Sequence, residues 1–379
     1  MEMTDIYLDY SADTPPDERV LSAYIETAKE KYSNPNSAHS FGRSAKAIVD
    51  SALTQTAAFL NVSPDELILT SGASEANNLA IKGIAHSSRR RGKHIVSTFL
   101  EHSSVSGALT FLQEQGWEID LVNILPDGKI DLAHLKTLLR QDTVLCAVCA
   151  VDSELGTVQP VADIAEILKD YPNCRFHVDA TQAIGKTRID LSCADTASFA
   201  PHKFYGLKGC GVLYKKKGVV LEPLIHGGAS TTIYRSGTPD APAAAALSAA
   251  LNYTCDEYDH RYERVSELNT RLRRHFAGIE RIRINSPADA VPHILNISVS
   301  GIKGEDMRRM LDEHGICVSV KSACSIANTP SRAVMAISHD RKNALCSWRI
   351  SLSHLTTDEE LERFVGVLGE IITSVQRSQ

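Results

Sequence analysis

Between about Asn34 and Tyr214, short apolar runs alternate with longer stretches whose apolar positions recur at helical spacing. The runs fall at residues 67–69, 95–96, 119–122, 144–148, 176–178, 197–199 and 212–214. Strands alternating with helices in this way predict a mostly parallel sheet of seven strands, covered by helices on both faces. One intervening helix is capped by Asn36 or Ser37 and carries an apolar side of Phe41, Ala45, Ile48, Val49, Ala52, Leu53, Phe59 and Leu60. Their period of about 3.6 predicts a face that packs inward.

The pattern changes beyond Leu251. A charged amphipathic helix is predicted around residues 258–276, followed by strands at 294–299 and 348–352. A last helix starts at Thr357, where Glu360 completes a capping box, and buries Leu361, Phe364, Val365, Leu368 and Ile372. These elements read as a small α+β domain. Neither a repeat nor a low-complexity linker separates it from the first part, so the cleft between the two is the default ligand site.

A chain of 379 residues with 43% hydrophobic content can build both cores. Its 40 basic and 46 acidic residues leave a net charge of −6, which argues against nucleic-acid binding by the folded chain. Arg89-Arg90-Arg91 and Lys215-Lys216-Lys217 read as solvated turns. The longest small-apolar run, residues 241–251, is too short to span a membrane, and the acidic amino terminus lacks an apolar signal region. A cytoplasmic protein is expected. Nine cysteines without regular spacing do not read as a disulfide framework. Cys146 and Cys149 have C-x-x-C spacing but sit in an apolar run as core thiols, and no metal site is assigned.

Two residues suggest a specific chemistry. Phe176-His177-Val178-Asp179 reads as a buried strand that delivers a carboxylate, and Lys203 follows 24 positions later at the end of another strand. An amine that condenses with an aldehyde, together with a carboxylate that keeps a ring nitrogen protonated, suits pyridoxal phosphate. The pair also has an ordinary reading, a solvated lysine and a capping aspartate. Thr70-Ser71-Gly72-Ala73-Ser74-Glu75-Ala76-Asn77-Asn78 opens a helix after a strand, where free amides attract a phosphate. His102, after the strand at Ile95, reaches the sheet edge where ligands bind and can stack on a ring or move protons. Gln182 can reach a phenolic oxygen, or lie on a helix surface. Arg349 can clamp a carboxylate through two parallel hydrogen bonds, or make a surface ion pair. Cys324, in Ser322-Ala323-Cys324-Ser325, sits in a loop-like segment. With an ordinary thiol pKa of about 8.5 it needs a base or cation to attack, for which Lys321 and His102 are candidates; otherwise it is an incidental exposed cysteine.

Together these segments resemble the cysteine desulfurases, in the class V aminotransferase family of fold-type-I pyridoxal-phosphate enzymes. Further matching segments are Tyr7-Leu8-Asp9-Tyr10-Ser11-Ala12, Asn34-Pro35-Asn36-Ser37-Ala38-His39, Glu154-Leu155-Gly156-Thr157-Val158-Gln159-Pro160 and Arg235-Ser236-Gly237-Thr238. The resemblance implies a large cofactor-binding domain over residues 14–250 and a small domain from residues 1–13 and 251–379. It implies that Lys203 anchors the cofactor, Asp179 holds its ring nitrogen, His102 stacks on the ring and Gln182 meets the phenolic oxygen. Ala73, Ser74, His202 and, across a homodimer interface, Thr238 hold the phosphate. L-cysteine is the implied substrate, with its carboxylate on Arg349, its α-proton moved by Lys203 and its sulfur taken by Cys324 as a persulfide for an acceptor protein.

The chain departs from the family pattern at several positions. Asp152 and Ser153 replace two asparagines, the second of which touches cofactor and substrate. Ala200 replaces a phosphate-binding serine, Lys321 a glycine and Leu207 a proline. The chain stops soon after its last helix, without the long tail some members use to dock a cluster scaffold, so a specialised sulfur donor is expected, for example to tRNA or DNA modification, with iron–sulfur cluster assembly kept open as the other pathway. Selenocysteine lyase or aminotransferase activity, or a non-enzymatic degenerate partner protein, are the alternatives.

Overall fold

Seven consecutive buried residues form β5, Thr143–Cys149, whose side chains alternate between two apolar layers. Leu145 and Ala147 enter one layer, and Cys146 and Val148 the other. A strand buried on both faces is what a parallel sheet between helices requires. The computed structural model describes residues 5–228, 230–321 and 329–378.

The first part of the chain runs β1 (Ile6–Tyr7), α1 (Glu18–Glu30), α2 (Ser40–Leu60), β2 (Leu67–Thr70), α3 (Ala73–Ser88), β3 (His94–Thr98), α4 (Ser103–Glu114), β4 (Glu118–Val122), α5 (Leu132–Leu138), β5, α6 (Val161–Leu168), β6 (Arg175–Asp179), β7 (Thr196–Phe199), β8 (Gly211–Lys215) and α7 (Ala241–Asp256). The rest runs α8 (Tyr258–Ala277), β9 (Ile282–Ile284), β10 (Ile294–Val299), α9 (Gly304–Asp312), β11 (Ile316–Cys317), α10 (Arg332–Ser338), α11 (Arg341–Cys346), β12 (Ser347–Ser351) and α12 (Asp358–Ser378). Seven strands pair in the order β2-β8-β7-β6-β5-β3-β4, and only β8 runs against its neighbours. The carboxyl ends of β2, β3, β5, β6 and β7 therefore share one edge.

A second core collects Leu268 and Phe276 of α8, Leu295 and Ile297 of β10, Trp348 and Ile350 of β12 and Phe364 of α12. Ile6 and Leu8 join it, carried there by the parallel pairing of β1 with β11. The final helix starts as its capping box predicts: the Thr357 amide donates to Glu360 Oε2 at 2.8 Å and the Glu360 amide to Thr357 Oγ1 at 3.1 Å.

Three local expectations need correction. Helix α2 is capped by His39, whose Nδ1 accepts from the Gly42 amide at 3.1 Å, while Asn36 bonds Ser230 instead. The tight turn explains this, since a Cβ on Gly42 would lie 2.2 Å from the Ser37 carbonyl oxygen. Phe41 and Phe59 do not face inward and are 59% and 37% exposed. The inward stripe is Ala45, Val49 and Ala52, small enough for close approach to Ala241 and Ala244 of α7. Lys215 is no solvated turn residue. It ends β8 buried, with Nζ donating to the Val219 carbonyl at 3.1 Å.

Candidate active site

The shared strand edge encloses a cavity of about 310 Å³. Its lining includes Ala73, Ser74, His102, Ser153, Asp179, Gln182, His202 and Lys203, brought together from across 131 positions of sequence. Each arrives at the end of a strand or the start of a helix. Asp179 closes β6, His102 is the N-cap of α4, and Lys203 lies in the short turn after β7.

Lys203 is held by its backbone as well as its amine. The Thr14 amide and hydroxyl both donate to the His202 carbonyl, at 3.0 and 2.9 Å, and the Tyr205 amide donates to Thr14 Oγ1 at 2.7 Å. Tyr205 adopts φ 67°, a left-handed conformation unusual for a bulky side chain, two residues after Lys203. Lys203 Nζ donates to the Ala12 carbonyl at 2.6 Å and to the Ser11 carbonyl at 3.1 Å. Burial, reinforced by the Arg349 charge, lowers its pKa from 10.5 to about 8. An amine so placed is partly neutral at physiological pH, as condensation with an aldehyde requires.

Asp179 is fixed through both oxygens: Oδ1 accepts from the Thr181 amide at 2.9 Å and Oδ2 from Asn77 Nδ2 at 2.8 Å. His102 Nδ1 accepts from the Ser104 amide at 3.1 Å and faces the Ser104 hydroxyl at 2.9 Å; burial lowers its pKa, favouring the neutral ring. Gln182 Nε2 donates to the Ser11 carbonyl at 2.9 Å, and its Oε1 accepts from the buried Lys186 amine.

The cavity fits pyridoxal phosphate on three observations. No side chain caps α3 at Gly72, which leaves amides at Ala73 and Ser74 for an anion. Thr181 Oγ1 is buried in the lining without a hydrogen-bond partner among the described residues. A Cβ on Gly211 would lie 2.5 Å from the Gly72 backbone, so only glycine lets β8 pass beneath the α3 turn. Lys203, Asp179, His102 and Gln182 are the candidates to hold the ring, and Ala73, Ser74 and His202 the phosphate.

Arg349 lies beyond Ser153. Its Nη1 donates to the Ser153 carbonyl at 2.7 Å and its Nη2 to Asp9 Oδ1 at 2.8 Å. The Ser153 contact is through backbone, so it does not depend on which side chain stands there. Asp152 is buried and its Oδ1 accepts from the amides of Glu154 and Leu155, a turn that asparagine could make equally well. Lys321 is buried, with Nζ donating to the Thr329 carbonyl and hydroxyl at 2.9 and 2.8 Å. Ala200 is fully buried, and Leu207 packs against the large core. Thr238 is exposed and lies outside the cavity lining of a single chain. Cys324 lies outside the described residues.

Sequence reasoning missed Asn77, Ser104, Thr181 and Asp9 as individual contributors. Asn77 had a signal: one helical turn after Ala73, an amide points back toward the same edge. Asp9, a charge between Leu8 and Tyr10 in an apolar segment, had another.

The family model for Aminotransferase class-V matches residues 6–364. Cysteine desulfurase IscS of Dictyoglomus turgidum is 36% identical over 377 residues, covering 98% of this chain and 95% of that protein. Among solved structures, a NifS-like protein superposes with a TM-score of 0.92 at 33% identity, covering 98% of this chain and all of the other. SspA in complex with cysteine superposes with a TM-score of 0.82 at 30% identity, covering 93% and 100%. With such likeness over nearly its whole length and a cavity that suits the cofactor, the chain belongs to the class V aminotransferase family and is a pyridoxal-phosphate-dependent enzyme of the cysteine desulfurase type.

Proposed function

We propose that this protein removes sulfur from L-cysteine, releasing L-alanine and leaving a persulfide on Cys324 for transfer to an acceptor protein. The observation that carries this reading is the meeting of Lys203, Asp179 and His102 in one cavity, with Arg349 beside it. The cysteine named with SspA supports the substrate.

When bound, pyridoxal phosphate supplies an electron sink for the carbon that loses its proton. The protein's residues do the rest. Lys203 would anchor the cofactor, yield it to the substrate amine and then move the α-proton. Asp179 would keep the proton on the ring nitrogen, His102 would stack on the ring, and Gln182 would meet the phenolic oxygen. Arg349 takes the substrate carboxylate with the N–H groups that Asp9 and Ser153 leave free. Cys324 attacks the substrate sulfur as a thiolate: an S–S bond forms, the C–S bond breaks, and the β-carbon is protonated to the methyl of alanine. One thiol and one cysteine thus give one persulfide and one alanine, with no outside oxidant.

The active form is a homodimer, with Thr238 of each chain completing the phosphate site of the other. Exposure of Thr238 and of the neighbouring Ile233, at 72%, supports that arrangement. The acceptor belongs to iron–sulfur assembly, tRNA thiolation or DNA phosphorothioation, and the protein that takes labelled sulfur from Cys324 decides among them. The direct test is peptide mass spectrometry after incubation with L-cysteine. One added sulfur on the Cys324 peptide is expected, together with stoichiometric alanine. A keto acid product instead of alanine would assign an aminotransferase. Cys324→Ser should keep the cofactor's visible band and form no persulfide; sulfur transfer at the wild-type rate by that variant would reject the assigned nucleophile.

A further inference from the structure

Asn77, fully buried on α3, is hydrogen-bonded on all sides. Its Nδ2 donates to Asp179 Oδ2 at 2.8 Å and to Ser104 Oγ at 2.9 Å. Its Oδ1 accepts from His177 Nε2 at 2.9 Å and from the Ser198 hydroxyl. An amide has two donors and two accepting lone pairs, and here every one is matched. No other side chain of this size could meet two donors on one side and two acceptors on the other.

These contacts fix the direction of each hydrogen. Because Asn77 Oδ1 can only accept, His177 carries its hydrogen on Nε2, and its Nδ1 accepts from the Thr196 hydroxyl at 2.9 Å. Because Ser104 Oγ receives an N–H from Asn77, its own hydrogen is free for His102 Nδ1, which already accepts from the Ser104 amide. His102 is thereby left with its hydrogen on Nε2. One amide therefore holds a carboxylate oxygen of Asp179 and, through the Ser104 hydroxyl, supports the His102 ring, whose tautomer the Ser104 amide already sets.

We infer that Asn77 is a positioning residue for the cofactor ring, locking Asp179 and His102 into one hydrogen-bond network that runs from His177 in the sheet to the helix start at Ser104. This rests on the reading of Asp179 and His102 as ring contacts. Fixed dipoles in a buried network hold a carboxylate in place better than packing alone, and a half-satisfied network is worse than none. The chain deploys the network where a ring nitrogen must keep its proton.

The test uses purified protein stripped of cofactor and titrated with pyridoxal phosphate, followed by tryptophan fluorescence and by the pH midpoint of the bound cofactor's visible absorption. Asn77→Ala should weaken binding about tenfold or more, as expected for a buried hydrogen bond to a charged group. It should also shift the pH midpoint away from the wild-type value, because the ring proton is held less firmly. Ser104→Ala, which cuts only the arm to His102, should weaken binding about threefold to tenfold and keeps the test open if Asn77→Ala does not fold. Folded Asn77→Ala with wild-type affinity and midpoint overturns the inference, as does wild-type affinity in Ser104→Ala where that is the variant available. Asp179→Asn separates the two levels. If it changes the midpoint and Asn77→Ala does not, only the network fails; if Asp179→Asn also leaves the midpoint unmoved, the ring-nitrogen assignment fails with it.

Discussion

Arg349 and Asp9, 340 positions apart, form a buried ion pair of 2.8 Å, and the guanidinium is simultaneously tied to the Ser153 carbonyl at 2.7 Å. Asp9 also accepts from the Ser319 hydroxyl at 2.7 Å. The Arg349 side chain is only 3% exposed, so the guanidinium has little water to replace its partner, whereas Asp9 is partly exposed. The amino-terminal segment thereby reaches β12 and sets the orientation of the residue proposed to bind the substrate carboxylate. The Arg349 Nε is buried and has no hydrogen-bond partner among the described residues.

Breaking that pair should be costly in two separable ways. Asp9→Asn leaves a buried guanidinium without its counter-charge, for which about 3–5 kcal/mol of stability is the usual loss. Urea unfolding measures it. In steady-state assays the KM for L-cysteine should rise about tenfold or more while kcat changes less, since a mis-set Arg349 weakens ground-state carboxylate binding. An unaltered KM in a folded variant would mean that Ser153 alone orients the guanidinium.

The depressed pKa of Lys203 predicts how fast cofactor is captured at each pH. The reacting species is the neutral amine, so the rate of visible-band formation by stripped protein should rise with pH and level off around a midpoint near 8. An ordinary lysine would be only about 0.3% neutral at that pH and would still be accelerating above 10. Stopped-flow absorbance between pH 6 and 10 distinguishes the two curves. Lys203→Ala should show no such band at any pH.

Glu101 makes a prediction about stability. Burial raises its pKa from 4.5 to about 8, with the charges of Asp179 and Asp152 adding to the effect. Its Oε1 accepts from the Thr98 hydroxyl at 2.7 Å and the Cys149 amide at 3.0 Å, while Oε2 is buried without a partner. Below about pH 4.5 the carboxyl is protonated in both folded and unfolded chains. As pH rises, the unfolded chain releases its proton first, so the folded state loses stability progressively until about pH 8. Glu101→Gln keeps both accepted bonds and has no proton to lose. Its urea midpoint should fall less than that of wild type between pH 5 and 8, and equal falls would show that Glu101 does not titrate in this window.

Gly211 tests the phosphate cradle from beneath. A methyl group there would meet the Gly72 backbone at 2.5 Å and Thr70 Oγ1 at 2.8 Å. Gly211→Ala must shift the turn that opens α3. Affinity for inorganic phosphate, read as competition with cofactor binding, should fall about tenfold for a loss near 1.4 kcal/mol. The thermal midpoint should move less than for a core truncation, because the displaced turn faces the cavity. Unchanged phosphate competition would remove the α3 start from the site.

Much of this molecule was legible along the chain because strand and helix periods report burial locally. The seven apolar runs became the seven strands of the large sheet, and the capping box at Thr357 started α12. Phe41 and Phe59 misled for the same local reason: period counts an aromatic ring as inward, whereas the spacing to α7 admits only small side chains such as Ala45 and Ala52. Lys215 misled because a run of three lysines looks solvated, although the first of them ends a buried strand.

The order of residues determined the strands, the helix starts and the chemical types on offer, since each depends on neighbours within a turn or two. Which groups face one another was decided only by folding. Asp9 meets Arg349, and Asn77 meets both Asp179 and His177, through contacts spanning 340, 102 and 100 positions. A hydrogen bond needs its partner within about 3 Å along a defined direction. That condition is set by strand order, by the turn at Thr14 and His202, and by the packing of α3 against the sheet, none of which a local pattern encodes.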